Sequence, residues 1–171
     1  VDRRVLDLAA LMHDVKDWKD SGSVEAGPRA VERWLKRQGA GSALAKRVAD
    51  VIREVSFKGA GVATQVHSPE AAIVQDADRL DALGAIGIAR TFAYGGSRGR
   101  PLYEPSVKPV LHKTFRAYRR GQSHTVNHFY EKLLLLKSRL HTQAARRIAA
   151  RRHREMERFL KIFKAEWEGR A

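Results

Sequence analysis

VLDLAALMHD, residues 5–14, reads as the end of an amphipathic helix. Val5, Leu8, Ala9 and Met12 recur at spacings of three and four, which sets them on one helical stripe. His13 and Asp14 close the run. An imidazole beside a carboxylate is a hard-to-borderline pair of metal donors, and the stripe anchors the helix that ends in it. By itself such a pair is most often a surface feature or a hydrogen-bonded histidine. A second stretch, QDADRLDALGAIGIA (residues 75–89), puts more carboxylates on another apolar helix. A divalent ion takes several N and O donors, typically from more than one helix. Adjacent helical side chains diverge by about 100°. A long imidazole and a short carboxylate can still converge on one ion at a helix end, opposed by Asp76, Asp78 or Asp81. The competing reading pairs Asp78 and Asp81 with Arg79 or Arg90 on an exposed face.

Outward from these stretches the chain reads as helices joined by Gly- and Pro-marked loops. KDWKDSGSVEAG (16–27) is polar and Gly-containing, hence loop. Pro28 suits the first turn of a helix carrying Val31, Trp34 and Leu35, which Gly39 and Gly41 stop. Ser42 can cap a third helix with Leu44, Val48, Val51 and Ile52 inward. SFKGAGVATQVH (56–67) is loop. Ser68-Pro69-Glu70 opens a long helix running past Asp76 and Asp78 to Tyr94, ended by Gly95-Gly96. Pro101, Pro105 and Pro109 mark an extended connection. Helices follow near Val126–Leu140 and Thr142–Trp167. No strand-like alternation persists and no internal repeat is visible. The expected class is all-α.

A chain of 171 residues fits one domain with a real core. No apolar run approaches a bilayer-spanning length, and no secretory signal is visible. Cysteine is absent, which excludes disulfides and thiolate metal sites and fits a reducing compartment. A cytoplasmic protein with no membrane partner is expected. Thirty-three Lys and Arg against nineteen Asp and Glu give 33 − 19 = +14. From Lys137 to Ala171 the balance is 11 − 4 = +7. Such a field attracts polyanions, nucleotides and nucleic acid among them. The plainer reading of RRIAARRHREMERFLKIFKAEW is a solvated, Arg-rich helix. Its Ile148, Met156, Phe159, Leu160, Phe163 and Trp167 then pack on the core.

The order His-Asp, then Ala77-Asp78-Arg79-Leu80 on a later helix, resembles the HD-domain metal-dependent phosphohydrolase superfamily. VQDADRLDALGAIGIARTFAYGG (74–96), NHFYEKLLLLKSRL (127–140) and RHREMERFLKIFKAEW (152–167) are similar to its YedJ-like branch across nearly the whole chain. The resemblance implies a single-domain HD-type helical bundle over 1–171, with basic C-terminal helices 123–168 packing on the HD core. It implies a divalent ion, typically manganese with Mg, Fe, Ni or Zn as alternatives. It also implies hydrolysis of nucleoside triphosphates to monophosphate and pyrophosphate. A nucleotidase or other phosphoester hydrolase is the alternative, and a catalytically incomplete, basic nucleic-acid-binding HD protein is a third reading. Amphipathic C-terminal helices also suit a homodimer.

Carried onto this chain, the resemblance makes His13, Asp14 and Asp78 metal ligands, with Asp76 the rival to Asp78. Asp17, three residues after the dyad, takes the position of an acid that orients water or protonates the leaving group. Lys19, Lys58 and Arg79 are the implied phosphate contacts, Lys132 a weaker one. Two departures stand out. The superfamily's first ligand is a histidine upstream of the dyad, and no histidine precedes His13 here. The expectation is a bundle lacking its first N-terminal helix. Val55 stands where relatives often carry a histidine near the phosphates; His67, His124 and His128 are the candidate substitutes.

Overall fold

A computed structural model describes residues 1–16, 22–63, 65–121 and 123–170, apart from the side chains of 119 and 120. Its helices are α1 (Arg3–Met12), α2 (Ala26–Arg37), α3 (Ser42–Val55), α4 (Pro69–Asp81), α5 (Gly84–Ser97), α6 (Phe115–Arg120), α7 (Asn127–Glu131) and α8 (Gln143–Trp167). A 3-10 helix occupies Leu133–Arg139. Among the described residues there is no strand, as the all-α reading expects. The chain divides into two units, residues 1–57 with 64–76, and residues 58–63 with 77–171.

In the first unit Asp2 caps α1, its carboxylate accepting from the Arg4 and Val5 amides at 3.0 and 3.3 Å. Val5 and Ala9 are fully buried, while Leu8 and Met12 pack at the edge of the same cluster. The helix α2 begins two residues before Pro28, whose missing N–H falls in the first turn and forfeits no intrahelical bond. Gly39 ends that helix at φ +81°. Val31 and Leu35 are buried, and Trp34 is 44% exposed. At about 100° per residue it lies some 80° from the middle of the buried line of Gly27, Pro28, Val31 and Leu35. Gly41, not Ser42, holds the cap position of α3, and its extended backbone leaves Ser42 inside the helix without a side-chain cap bond. Val48, Val51, Ile52 and Val55 face the core with Ala71 and Val74 from the start of α4.

The second unit departs more from expectation. The helix expected to run unbroken to Tyr94 stops at Asp81 and restarts at Gly84. The Ala82 and Leu83 amides tighten onto the Arg79 and Leu80 carbonyls at 3.2 and 3.1 Å, and Gly84 then turns the chain at φ +77°. Arg152 closes the broken end by donating to the Leu80 carbonyl at 2.5 Å. Gly95-Gly96 lies inside α5 instead of ending it. A Cβ on Gly95 would sit 2.2 Å from the Thr125 hydroxyl, so that glycine serves a close approach.

The single helix expected over Val126–Leu140 is split at Lys132 (φ −139°, ψ −62°). The 3-10 geometry that follows eclipses Leu133 and Leu136, and both are buried. The short helix α6, capped by Thr114 accepting from the Ala117 amide at 3.2 Å, lies in what read as extended connection. Thr142 caps α8 in the same way. The buried line of α8 is Ala145, Ala149, His153, Met156 and Leu160. Ile148, expected inward, lies about 100° from Ala149 and is 46% exposed. Trp167, at the helix end, is 48% exposed. Phe92, Phe129, Phe159 and Phe163 meet with centroids 5.7–6.0 Å apart, a packed aromatic cluster.

Candidate functional site

His13 carries the backbone of α1 one residue past its last turn. Its Nδ1 lies 2.8 Å from the Ala10 carbonyl. A carbonyl only accepts, so Nδ1–H donates and the lone pair of the neutral ring sits on Nε2. Nε2 stands 3.4 Å from Oδ2 of Asp14. At that separation a neutral imidazole and the carboxylate can share a divalent ion, and an imidazolium can donate to the carboxylate directly. As an N and an O donor at one helix end, the two side chains could supply part of the ligand set of a divalent ion. A backbone carbonyl fixing the remote ring nitrogen is also the usual support of a ligating histidine.

The turn beyond the dyad is held from outside. The Val15 amide bonds to the Met12 carbonyl at 3.1 Å, and Lys16 adopts φ +54°, a conformation uncommon outside glycine. A Cβ on Gly27 of α2 would stand 2.6 Å from the Val15 carbonyl oxygen and 3.2 Å from that of Lys16. Only a glycine lets α2 touch this backbone. Asp17 and Lys19 lie outside the described residues. Elsewhere in this unit Asp76 is 3% exposed. Val55 is a core residue. His67 binds Glu54 through Nδ1 at 2.8 Å and through its amide at 2.9 Å, and Gln75 donates to the Glu54 carbonyl at 2.6 Å.

In the second unit Asp78 is half-buried, while Asp81 pairs with Arg90 as the competing reading foresaw. Arg79 is 2% exposed; its Nη1 donates to the Arg139 carbonyl and lies 3.3 Å from Nε2 of His141. Arg139 in turn donates to the carbonyls of Gly59 (3.1 Å), Ala60 and Val62 (3.4 Å). Burial lowers the Arg139 pKa from its ordinary value. This cage of carbonyls fixes the loop that carries half-buried Lys58, so Arg79 and the Lys58 loop meet through Arg139. Sequence reading missed Arg139 and His141, because SRLH looks like any charged helix end. His124 is buried with both ring nitrogens engaged, by the Asn127 amide and the Val107 carbonyl at 3.2 Å each. His128 and Lys132 are half-buried. Among the described residues no three His, Asp or Glu side chains cluster as a ready-made metal site.

Residues 1–83 match the HD domain. YpgQ of Bacillus subtilis is 35% identical over 166 residues, 96% of this chain and 73% of YpgQ. The chain belongs to the HD family. An HD-superfamily hydrolase of Bacillus thuringiensis superposes with a TM-score of 0.69 at 43% identity, over 98% of this HD protein and 75% of that chain. YpgQ solved in complex with ADP superposes at 0.71 with 29% identity, over 100% and 80% of the two chains. The matched stretch of the HD protein contains both the dyad and the Ala77-Asp78-Arg79-Leu80 turn. No described helix is long and apolar enough to cross a membrane.

Proposed function

We propose that this HD protein is a divalent-metal-dependent phosphohydrolase acting on nucleotides, with nucleoside triphosphates cleaved to monophosphate and pyrophosphate, in a YedJ-like branch of the family. The observation that carries the proposal is the dyad: His13 with Nδ1 2.8 Å from the Ala10 carbonyl and Nε2 turned to Asp14 Oδ2 at 3.4 Å. The complex of the similar YpgQ with ADP supports a nucleotide as substrate class.

In this reading His13, Asp14 and Asp78 hold the ion, manganese first among the candidates. A bound divalent ion supplies a water acidic enough to ionise near neutral pH and polarises a phosphoryl oxygen. The remaining roles fall to the chain's own groups. Asp17 orients the attacking water or gives a proton to the leaving oxygen. Lys19, Lys58 and Arg79 neutralise charge that builds on the phosphoryl oxygens. The same proposal treats residues 1–171 as one HD phosphohydrolase with 123–168 as its basic helices.

The test is release of pyrophosphate and orthophosphate, assayed separately, from ribo- and deoxynucleoside triphosphates with manganese and with chelator. Manganese-dependent pyrophosphate is expected, and Asp14→Ala abolishes it while circular dichroism stays unchanged. Full turnover in that variant overturns the assignment. Orthophosphate as the sole product moves the reading to a nucleotidase on the same scaffold.

A further inference from the structure

The α8 helix carries a second feature that the proposed hydrolysis does not use. Arg147, Arg151, Arg154, Arg158 and Lys161 follow one another at spacings of four, three, four and three. At about 100° per residue these five fall within an arc of about 80°. The arc is centred opposite the buried line through Ala149 and Met156. All five are exposed. None makes an ion pair within the described chain, although Glu155 and Glu157 lie on either side of the row. Glu157 faces His153 at 3.3 Å instead. Over 14 residues at about 1.5 Å each, the row is about 21 Å long with a cation roughly every 5 Å.

We infer that this row is a docking rail for the phosphodiester backbone of a nucleic acid, independent of the catalytic reading. A single phosphate needs cations that converge, whereas a straight, evenly spaced row matches a repeating polyanion. Four of the five are arginines, whose planar forks bind phosphate oxygens in pairs. A second copy of the chain is repelled by its own +14 charge. Insertion into an anionic membrane needs a free apolar helix face, and here that face is buried in the unit.

The test is fluorescence anisotropy with labelled 20-nucleotide single-stranded RNA, single-stranded DNA and duplex DNA from 50 to 300 mM salt. Phosphatidylserine vesicles and a polyglutamate peptide run in parallel. The protein binds at least one oligonucleotide with affinity that falls steeply with salt. Arg151→Ala/Arg154→Ala/Arg158→Ala weakens it by about tenfold or more and lowers the log–log salt slope by about two to three. The charge-matched Arg29→Ala/Arg33→Ala/Arg37→Ala variant on α2 stays within about twofold of the parent, and Arg151→Lys/Arg154→Lys/Arg158→Lys keeps the parent's slope. Alanine suits exposed helical positions, and circular dichroism verifies each variant. The inference is overturned if the α8 alanine variant binds like the parent, or if the α2 variant loses as much. It is equally overturned if only vesicles or polyglutamate bind.

Discussion

His13 and Asp14 owe their arrangement to backbone groups that surround them. The Ala10 carbonyl orients the ring, and Gly27 makes room for the carbonyls of Val15 and Lys16. Gly27→Ala therefore pushes a methyl into the turn that follows the dyad. The expected loss is about 1–3 kcal/mol in urea unfolding, the usual cost of overpacking a close contact, with a larger proportional loss of manganese-dependent turnover. A variant with unchanged stability and turnover refutes the positioning role. Titration is legible at residue scale too. The Val5 amide, with Arg47 and the Arg4 amide, holds the Asp2 carboxyl below its ordinary range; the Asp2 amide does the same for Glu70. A carboxyl depressed in the folded state stabilises fully above its unfolded pKa of about 4 and loses that contribution as pH falls through and below it. Melting temperature should fall from pH 5 to pH 3, less steeply in Asp2→Asn/Glu70→Gln. Equal slopes for parent and variant contradict this.

At the scale of elements, apolar spacing located most helices but not their faces or breaks. The expected stripe of α1 is the observed one, because Val5 and Ala9 lie at its centre. Ile148 went astray because a large apolar side chain at the margin of a stripe is assigned inward by spacing alone. The break at Ala82–Gly84 was hidden by continuous apolar sequence. Gly84→Ala tests what maintains it: the residue has φ +77°, and a Cβ would stand 3.0 Å from Cγ of Arg152. A loss of about 1–2 kcal/mol is expected from the left-handed backbone alone. Arg152→Ala should then cost less in the Gly84→Ala background than in the parent, since removing Cγ and Cδ relieves the nearest steric contact. Additive losses in the double-mutant cycle argue that Arg152 does not press on this turn.

For the whole molecule, charge is the property with the widest reach. A net +14 on 171 residues imposes self-repulsion that salt screens, over about 10 Å at 0.1 M. Raising NaCl from 20 to 300 mM should raise the melting temperature by about 2–4 °C, the equivalent of about 1 kcal/mol at this size. A melting temperature that falls with salt would show that ion pairs such as Arg53–Glu25 and Lys46–Asp50 outweigh the repulsion. Arg47–Asp2 belongs to the same group.

By itself, the sequence determined the all-helical class, the amphipathic stripes, the helix end that carries His13 and Asp14, and the excess of positive charge. These are local or summed properties, set by residues three or four apart or by counting. It also contained the five-residue basic row of α8, but only the buried line on the opposite side shows that the row faces solvent. The tertiary structure alone decided that Nδ1 of His13 is spent on Ala10 and that α2 crosses the dyad turn at a glycine. It alone decided that Arg139 reaches back some 80 positions to the carbonyls of Gly59 and Ala60. Donor–acceptor pairs and backbone approaches at that separation depend on how helices are turned and spaced, and no periodicity within a single helix encodes them.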